Sequence, residues 1–232
     1  MHFSHFTPCG LGAMSVLAAP AFGWSYRFSP SWTWGVAVVE AHGGYVCRFE
    51  DVDVAWLQQL ARQALYEDRV EGTDAGLLVS VLPGAKIVRF AYDAGHTYGR
   101  KGARWYLDHH SLARKLSQHL RETVHAYVFD PDELEQVVSY GNGHQVGGEV
   151  LKYEDAELPD DDDESSFEKA KAKWPLGHLG RVLGVQREEL IRIARQTTAL
   201  IDLSRPSNPQ PLWQLFPSVV SAPRRTPILA AG

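Results

Sequence analysis

The stretch from Thr123 to Glu154 reads TVHAYVFDPDELEQVVSYGNGHQVGGEVLKYE and contains three apolar runs separated by turn residues. Aspartate, proline, glycine and asparagine stand at the two joins, and these residue types permit the backbone to reverse. The runs are Val124–Phe129, Leu134–Tyr140 and Val146–Tyr153, and the joins are Asp130–Asp132 and Gly141–Gly143. The pattern predicts a three-stranded antiparallel meander.

Four further apolar runs upstream of the meander predict two hairpins. The first pair, Trp34–Glu40 and Tyr45–Phe49, flanks Ala41–Gly44, and the second pair, Leu77–Leu82 and Ile87–Tyr92, flanks Pro83–Ala85. Glycine or proline between two apolar runs favours a chain reversal. The alternating segment from Phe22 to Phe28 predicts another strand with an aromatic face, and such a row of rings is more typical of a core than of a stacking surface.

Five helices are predicted from apolar residues that recur at helical spacing. They span Val54–Leu65, His109–Arg121, Phe167–Trp174, Leu176–Leu183 and Gln186–Thr198. Asp51 or Asp53 is expected to cap the first helix and Asp108 the second, because a carboxylate accepts hydrogen bonds from unpaired first-turn N–H groups. Gly184 is expected to end the fourth helix.

Hairpins followed by helices predict an α+β fold: a mostly antiparallel sheet built from hairpins and the meander, covered by two helices, with a C-terminal helical lobe and an extended tail. The predicted parts are a flexible N-terminal extension (1–21), an α+β body (22–154), an acidic linker (155–166), a helical lobe (167–203) and a proline-rich tail (204–232). Four large apolar side chains, those of Leu212, Trp213, Leu215 and Phe216, lie in the tail between Pro211 and Pro217. We expect them to fold back onto the body rather than to dock a partner.

The composition is that of a soluble globular protein. Of the 232 residues, 44% are hydrophobic and 22% charged, which excludes a mainly disordered chain. No apolar run approaches the ~20 residues of a membrane span. The presence of only two cysteines, Cys9 and Cys47, fits a reducing compartment, and a cytoplasmic location is expected. The alternatives are a signal peptide at Gly10–Gly23, where Ala19–Ala21 resembles a cleavage site but no Lys or Arg precedes it, and a natural start at Met14.

The charge is distributed unevenly along the chain. The segment Glu154–Glu168 holds nine acidic residues and no Lys or Arg, so the rest of the chain keeps 23 basic and 19 acidic side chains, a formal charge of +4. The densest part of the acidic segment consists of Asp160, Asp161, Asp162, Asp163 and Glu164. Such a run is a solvated linker or an acidic surface for a basic partner. It lacks the alternating ligands and central glycine of a calcium loop.

No catalytic motif is recognisable. The chain has no Gly-x-Ser-x-Gly elbow, no phosphate-binding glycine loop and only two cysteines, Cys9 and Cys47, so neither a Cys-x-x-Cys metal site nor a disulfide framework is predicted. Cys47 lies in a valine-rich strand, where a thiol acts as a small hydrophobic group. His109 and His110 are adjacent and therefore point in different directions, which does not suit a metal. No metal and no cofactor are predicted.

The segment Ala94–Trp105, AGHTYGRKGARW, is predicted to be a mobile loop with basic and aromatic side chains. Its candidate anion-binding residues are His96, Tyr98, Arg100, Lys101 and Arg104. Loops on a rigid scaffold are where binding residues concentrate. The segment is either a solvated connector or a site for an acidic protein surface, a phosphate group or a nucleic acid.

The residues Leu179–Leu190, LGRVLGVQREEL, resemble a helix-turn-helix pattern in which a leucine-glycine-valine turn precedes the second helix. The resemblance covers about twenty residues and would imply that the second helix reads a DNA groove. Glu188 and Glu189 open that helix and would repel phosphates. A plain helical hairpin is therefore favoured.

These observations favour a non-catalytic cytoplasmic binding protein with a protein partner. The overall style resembles the diverse immunity proteins encoded beside bacterial toxins, which implies a neutralising or regulatory role in which charged surfaces bind the target. The alternatives are an enzyme acting on a nucleotide or a phosphorylated substrate, with His96 or His110 as the acid–base group, and a nucleic-acid-binding protein.

Overall fold

The computed structural model describes residues 40–49, 52–69, 76–93, 100–157, 164–195, 197–206 and 208–215. The strands are β1 (His42–Arg48), β2 (Gly76–Leu82), β3 (Ile87–Asp93), β4 (Val124–Asp130), β5 (Leu134–Gly141), β6 (His144–Lys152) and β7 (Thr197–Asp202). The helices are α1 (Val54–Glu67), α2 (Arg100–Trp105), α3 (Ser111–Leu120), α4 (Glu164–Lys171), α5 (Pro175–Leu183) and α6 (Arg187–Ile193). Single 3-10 turns occupy Pro83–Ala85, Tyr153–Asp155 and Leu212–Leu215.

The strands form one open, fully antiparallel sheet in the order β6-β5-β4-β1-β3-β2-β7. Its centre, β4-β1-β3-β2, has the order and the helical connections of the split β-α-β arrangement. The meander adds β5 and β6 to one side of this centre, and β7 extends the other side. The α+β class and the antiparallel sheet predicted from the sequence are confirmed.

Helices cover both faces of the sheet. On one face α1 and α3 bury Leu57 and Leu112 against strand residues such as Tyr45 and Phe90. On the other face α5 and α6 bury their apolar sides against β1, β3, β4 and β5. The residues at this second interface are Val46, Ile87, Tyr127, Phe129, Val137, Leu176, Leu179, Leu183, Leu190 and Ile193. The sheet is thus the middle layer of three.

Several local predictions are confirmed because short-range chemistry was sufficient to specify them. The Asn142-Gly143 turn joins β5 to β6, and both residues have positive φ angles of 50° and 81°. Gly184 ends α5 in the left-handed conformation at φ 77°. Leu212 in the tail is fully buried, and Pro211 bridges to Asp53, so this part of the tail folds back onto the body.

The predicted hairpin turn at Ala41–Gly44 is wrong, because His42, Gly43 and Gly44 belong to β1. The glycines mark close contacts rather than a reversal. A Cβ atom on Gly43 would lie 2.5 Å from the Tyr106 ring, and one on Gly44 would lie 2.7 Å from the backbone oxygen of Phe90. The segments Trp34–Val39 and Phe22–Phe28 lie outside the described residues.

One loop prediction and one helix prediction are also corrected. The predicted loop Ala94–Trp105 contains α2 from Arg100 onward, where Ala103 is buried against the core. The predicted helix Gln186–Thr198 ends at Ile193, and Thr197–Asp202 forms β7, which pairs with β2. The β-branched residues Thr197, Thr198 and Ile201 suit this strand, although they lie within or near a helical period.

The cap predicted for α3 is corrected as well. Asp108 does not cap the helix: its N-cap residue is His110, which makes no side-chain cap hydrogen bond. Instead, the carboxylate of Asp68, just after α1, accepts hydrogen bonds from the backbone N–H and the hydroxyl of Ser111. The N-terminus of α3 is therefore capped from another helix.

Replacing Asp53 with alanine is expected to lower the free energy of unfolding by ~1 kcal/mol. Its Oδ1 atom accepts a 2.8 Å hydrogen bond from the backbone N–H of Trp56 in the first turn of α1. Asparagine preserves this acceptor, so Asp53→Asn serves as the matched control. Urea unfolding measures both variants, and equal losses for alanine and asparagine would contradict the cap.

Candidate functional site

Strand β6 is the last strand of the meander and forms one edge of the sheet, where most of its residues are exposed to solvent. Every residue from His144 to Val150 is exposed, and among the described residues no further strand pairs with its outer side. Val146 and Val150 have exposed fractions of 64% and 63%, which are among the highest of the large apolar side chains. An edge strand presents alternate backbone N–H and C=O groups to solvent, and it can template pairing with another chain.

A bulge interrupts the pairing of β5 with β6 between Ser139 and Tyr140. Beyond it, pairing is regular from Gly147 to Lys152. This regular part spans roughly 20 Å, the length of an ordinary strand. It contains two adjacent glycines, whose lack of side chains leaves room for an approaching backbone.

The chain becomes acidic directly after β6. Glu154, Asp155 and Glu157 are exposed in and after the 3-10 turn that follows the strand, and Glu164 is the exposed first residue of α4. The Nζ atom of Lys152 lies 3.8 Å from the Oε1 atom of Glu154. The open edge and the beginning of the acidic segment are therefore continuous on the surface.

A cleft of about 120 Å³ lies between β6 and α5. Its polar lining comes from His125 on β4, Ser139 on β5, Glu149 on β6 and His178 on α5. Register explains this convergence, because His125 pairs with Ser139, Ser139 with Gly147, and Val137 with Glu149. Paired residues of an antiparallel sheet share a face, so all of these side chains lie on the side that α5 covers.

The four polar groups of the cleft form two pairs. The Nδ1 atom of His125 shares a 2.8 Å hydrogen bond with the Ser139 hydroxyl, and the Nδ1 atom of His178 lies 2.7 Å from the Glu149 carboxylate. Burial lowers the pKa of His125 to about 4, so its ring is neutral at pH 7. Glu149 is thus the one acidic residue among the described residues that line the cleft.

Glu135 on β5 holds the wall of the cleft in place. Its carboxylate is fully buried and accepts a 3.0 Å hydrogen bond from the backbone N–H of Leu176, in the first turn of α5. It also pairs with Arg187, the first residue of α6, and accepts a 3.2 Å hydrogen bond from the Tyr153 hydroxyl. One carboxylate therefore connects β5 to α5, to α6 and to the segment that leaves β6.

The predicted partner-binding run lies largely outside the described residues. Asp160, Asp161, Asp162 and Asp163 are not described, whereas Glu164 is exposed at the start of α4. The run remains a prediction.

The predicted anion-binding loop is described in part. His96 and Tyr98 lie outside the described residues, and Arg100 and Lys101 are the first two residues of α2. Arg104 forms an ion pair with Glu133 in the turn between β4 and β5. An anion site at these positions remains a prediction.

Contacts are described for three other features that the sequence analysis singles out, His110, Cys47 and the helix-turn-helix-like segment. Both ring nitrogens of His110 are hydrogen-bonded to protein atoms, the Tyr140 hydroxyl at 2.8 Å and the Tyr106 carbonyl at 2.9 Å, and its use as an acid–base group remains a prediction. Cys47 is fully buried, and burial raises the pKa of its thiol to about 12, as expected for an inert group. In the helix-turn-helix-like segment, Arg187 is committed to Glu135 and Glu189 accepts a hydrogen bond from the Gln186 N–H. The two helices and the turn at Gly184 are confirmed, and the preference for a plain helical hairpin over a DNA-reading pair stays a prediction.

The sequence does not predict the open edge or the cleft. The sequence predicts Val146–Tyr153 as one strand of a meander, but no local pattern in it indicates that, within the described part of the chain, β6 has no strand on its outer side. The available signal was the Gly147-Gly148 pair, because glycines inside a strand often mark the close approach of another backbone.

Among the described residues, no cluster of His, Cys, Asp or Glu side chains is arranged to hold a metal ion. The same part of the chain contains no helix with the length and hydropathy that a membrane span needs. No protein-family model, curated protein or solved structure matches this chain.

Proposed function

We propose that this chain is a non-catalytic binding protein that holds a basic protein partner along β6 and the acidic segment after it. The observation that carries the proposal is the edge strand itself, which exposes its backbone and two valines. A partner strand added to such an edge gains main-chain hydrogen bonds, as in other cases of strand addition.

The negative charge of the adjoining segment favours a partner with a positively charged surface. Glu154, Asp155 and Glu157 are exposed beside the edge, and Asp160–Glu164 continue the acidic sequence. Acidic groups at the rim of an interface accelerate association with a basic protein and make the rate fall with salt. A role in neutralising or regulating a basic protein, as in immunity-type proteins, is the narrower form of this proposal.

A pull-down from native lysate, read by mass spectrometry at low and high salt, tests the proposal. We expect one stoichiometric basic protein that is lost at high salt and lost from the double variant Val146→Lys with Val150→Lys, since lysines on an edge oppose strand addition. Leu200→Lys is the matched control, because Leu200 is also a half-exposed apolar residue (53%) but lies on β7 at the opposite edge.

A partner that binds the double lysine variant as well as it binds the natural protein would contradict docking on β6. Replacing Asp160–Glu164 with serine is expected to slow association by about tenfold at low salt. An unchanged association rate would show that the acidic run does not contribute to binding the partner. A co-purifying nucleotide without a protein partner would instead support the enzyme alternative.

A further inference from the structure

The cleft between β6 and α5 lies directly beside the edge where the proposed partner strand would pair. Gly147, Gly148 and Glu149 belong both to the regular part of β6 and to the lining of the cleft. Side chains of a paired strand alternate between the two faces of a sheet. Every second side chain of a strand paired with β6 would therefore lie on the face that contains the cleft.

The size of the cleft suits one side chain rather than a free cofactor or nucleotide. Its volume is about 120 Å³. Pockets for drug-sized ligands measure roughly 300–1,000 Å³, whereas a water-sized group needs about 10–15 Å³. The cleft has room for several heavy atoms at the end of a side chain.

We propose that the cleft receives one arginine or lysine side chain of the partner strand, with its cationic end at Glu149. The inference rests on the proposed function and names the anchor residue of that same interface. The walls formed by Val137, Pro175 and Leu179 contact the aliphatic stem, and long cationic side chains commonly lie with their stems on apolar surface. The hydroxyl of Ser139 supplies an additional acceptor.

The charges around the cleft favour a cation over an anion or an apolar group. Glu149 carries the negative charge, and the only other titratable groups in the lining are His125 and His178. His125 is neutral at pH 7 and bonded to Ser139, and His178 contacts the Glu149 carboxylate at 2.7 Å and so positions it. An acidic anchor would meet the Glu149 carboxylate with the same sign.

Gly147 keeps the cleft open. A Cβ atom at this position would lie 3.9 Å from the Cβ of Ser139, an ordinary contact, so a side chain here fits the fold but projects into the cleft. The variant Gly147→Val therefore blocks the cleft without removing the backbone edge.

The test uses the full-length ¹⁵N-labelled protein and two probes, the peptides acetyl-TVRVT-amide and its analogue with norleucine in place of arginine. Amide shifts of Gly147, Gly148, Glu149 and His178 report binding. We expect the arginine peptide to bind about tenfold more tightly, because a charge-assisted hydrogen bond is lost in the analogue. Glu149→Gln and Gly147→Val should each abolish this difference. Glu67→Gln should preserve it, because Glu67 is similarly exposed (50% against 51%) and ion-paired, but lies on α1.

Equal affinity of the two peptides, with shifts confined to β6, would overturn the inference and leave docking on β6 intact. The absence of any shift on β6 with either peptide would overturn both proposals. A tenfold preference that persists in Gly147→Val would also overturn the inference, because the arginine would then bind outside the cleft.

Discussion

Replacing Glu135 with alanine is expected to lower the free energy of unfolding by about 3–5 kcal/mol, the loss typical of a broken buried ion pair. The carboxylate is fully buried and the Arg187 side chain is only 11% exposed, so the variant removes the buried counter-ion of the guanidinium and leaves it only the longer 3.7 Å contact with the half-exposed Glu188 carboxylate. It also leaves the first turn of α5 without an acceptor, because Trp174, its N-cap residue, makes no side-chain cap hydrogen bond. Urea unfolding measures the change.

Glu133→Ala is the matched control for Glu135→Ala. Glu133 lies two residues earlier and pairs with Arg104, but these side chains are 35% and 54% exposed. Exposed pairs contribute about 0–1 kcal/mol, so the control should lose far less. The double variant Glu135→Leu with Arg187→Met should recover part of the loss, since no buried charge then lacks a partner. A similar loss for Glu133→Ala and Glu135→Ala would contradict the assigned role.

Lowering the pH from about 6.5 to 4 is expected to remove about 3 kcal/mol of unfolding free energy for each of His42 and His125. Burial lowers the pKa of both to about 4, and for His42 the charges of Arg89 and Arg195 act in the same direction. In the unfolded chain the pKa of each histidine is near 6.5. Between these values the unfolded state binds more protons, so stability falls as the pH falls, and the contribution of each histidine levels off once the pH is well below 4.

The variant His125→Asn should show roughly half of this acid sensitivity, because it keeps a hydrogen-bonding side chain near Ser139 but cannot be protonated. His144→Gln removes an exposed histidine on β6 and should leave the dependence unchanged. The free energy of unfolding of each variant is measured at several pH values, and the slopes of these values against pH are compared between the variants. An unchanged slope in His125→Asn would refute the assignment.

Helix capping illustrates how far the sequence could be interpreted. The N-terminus of α1 uses Asp53 and that of α6 uses Gln186 with Glu189, and all three residues lie within their own helix or next to it. Such caps have a sequence signature and can be predicted. The N-termini of α3 and α5 use Asp68 and Glu135, which come from other elements 43 and 41 residues away. No local pattern identifies that kind of cap.

The same distinction applies to the candidate site. The meander, its turn at Asn142-Gly143, the burial of Cys47 and the acidity after β6 follow from residue types and local spacing, and the sequence was sufficient for them. The edge position of β6 and the cleft behind it depend on which strands pair and on where α5 packs. Those contacts join residues far apart in the chain, and their energies come from burial and register rather than from local preference, so only the folded structure reveals them.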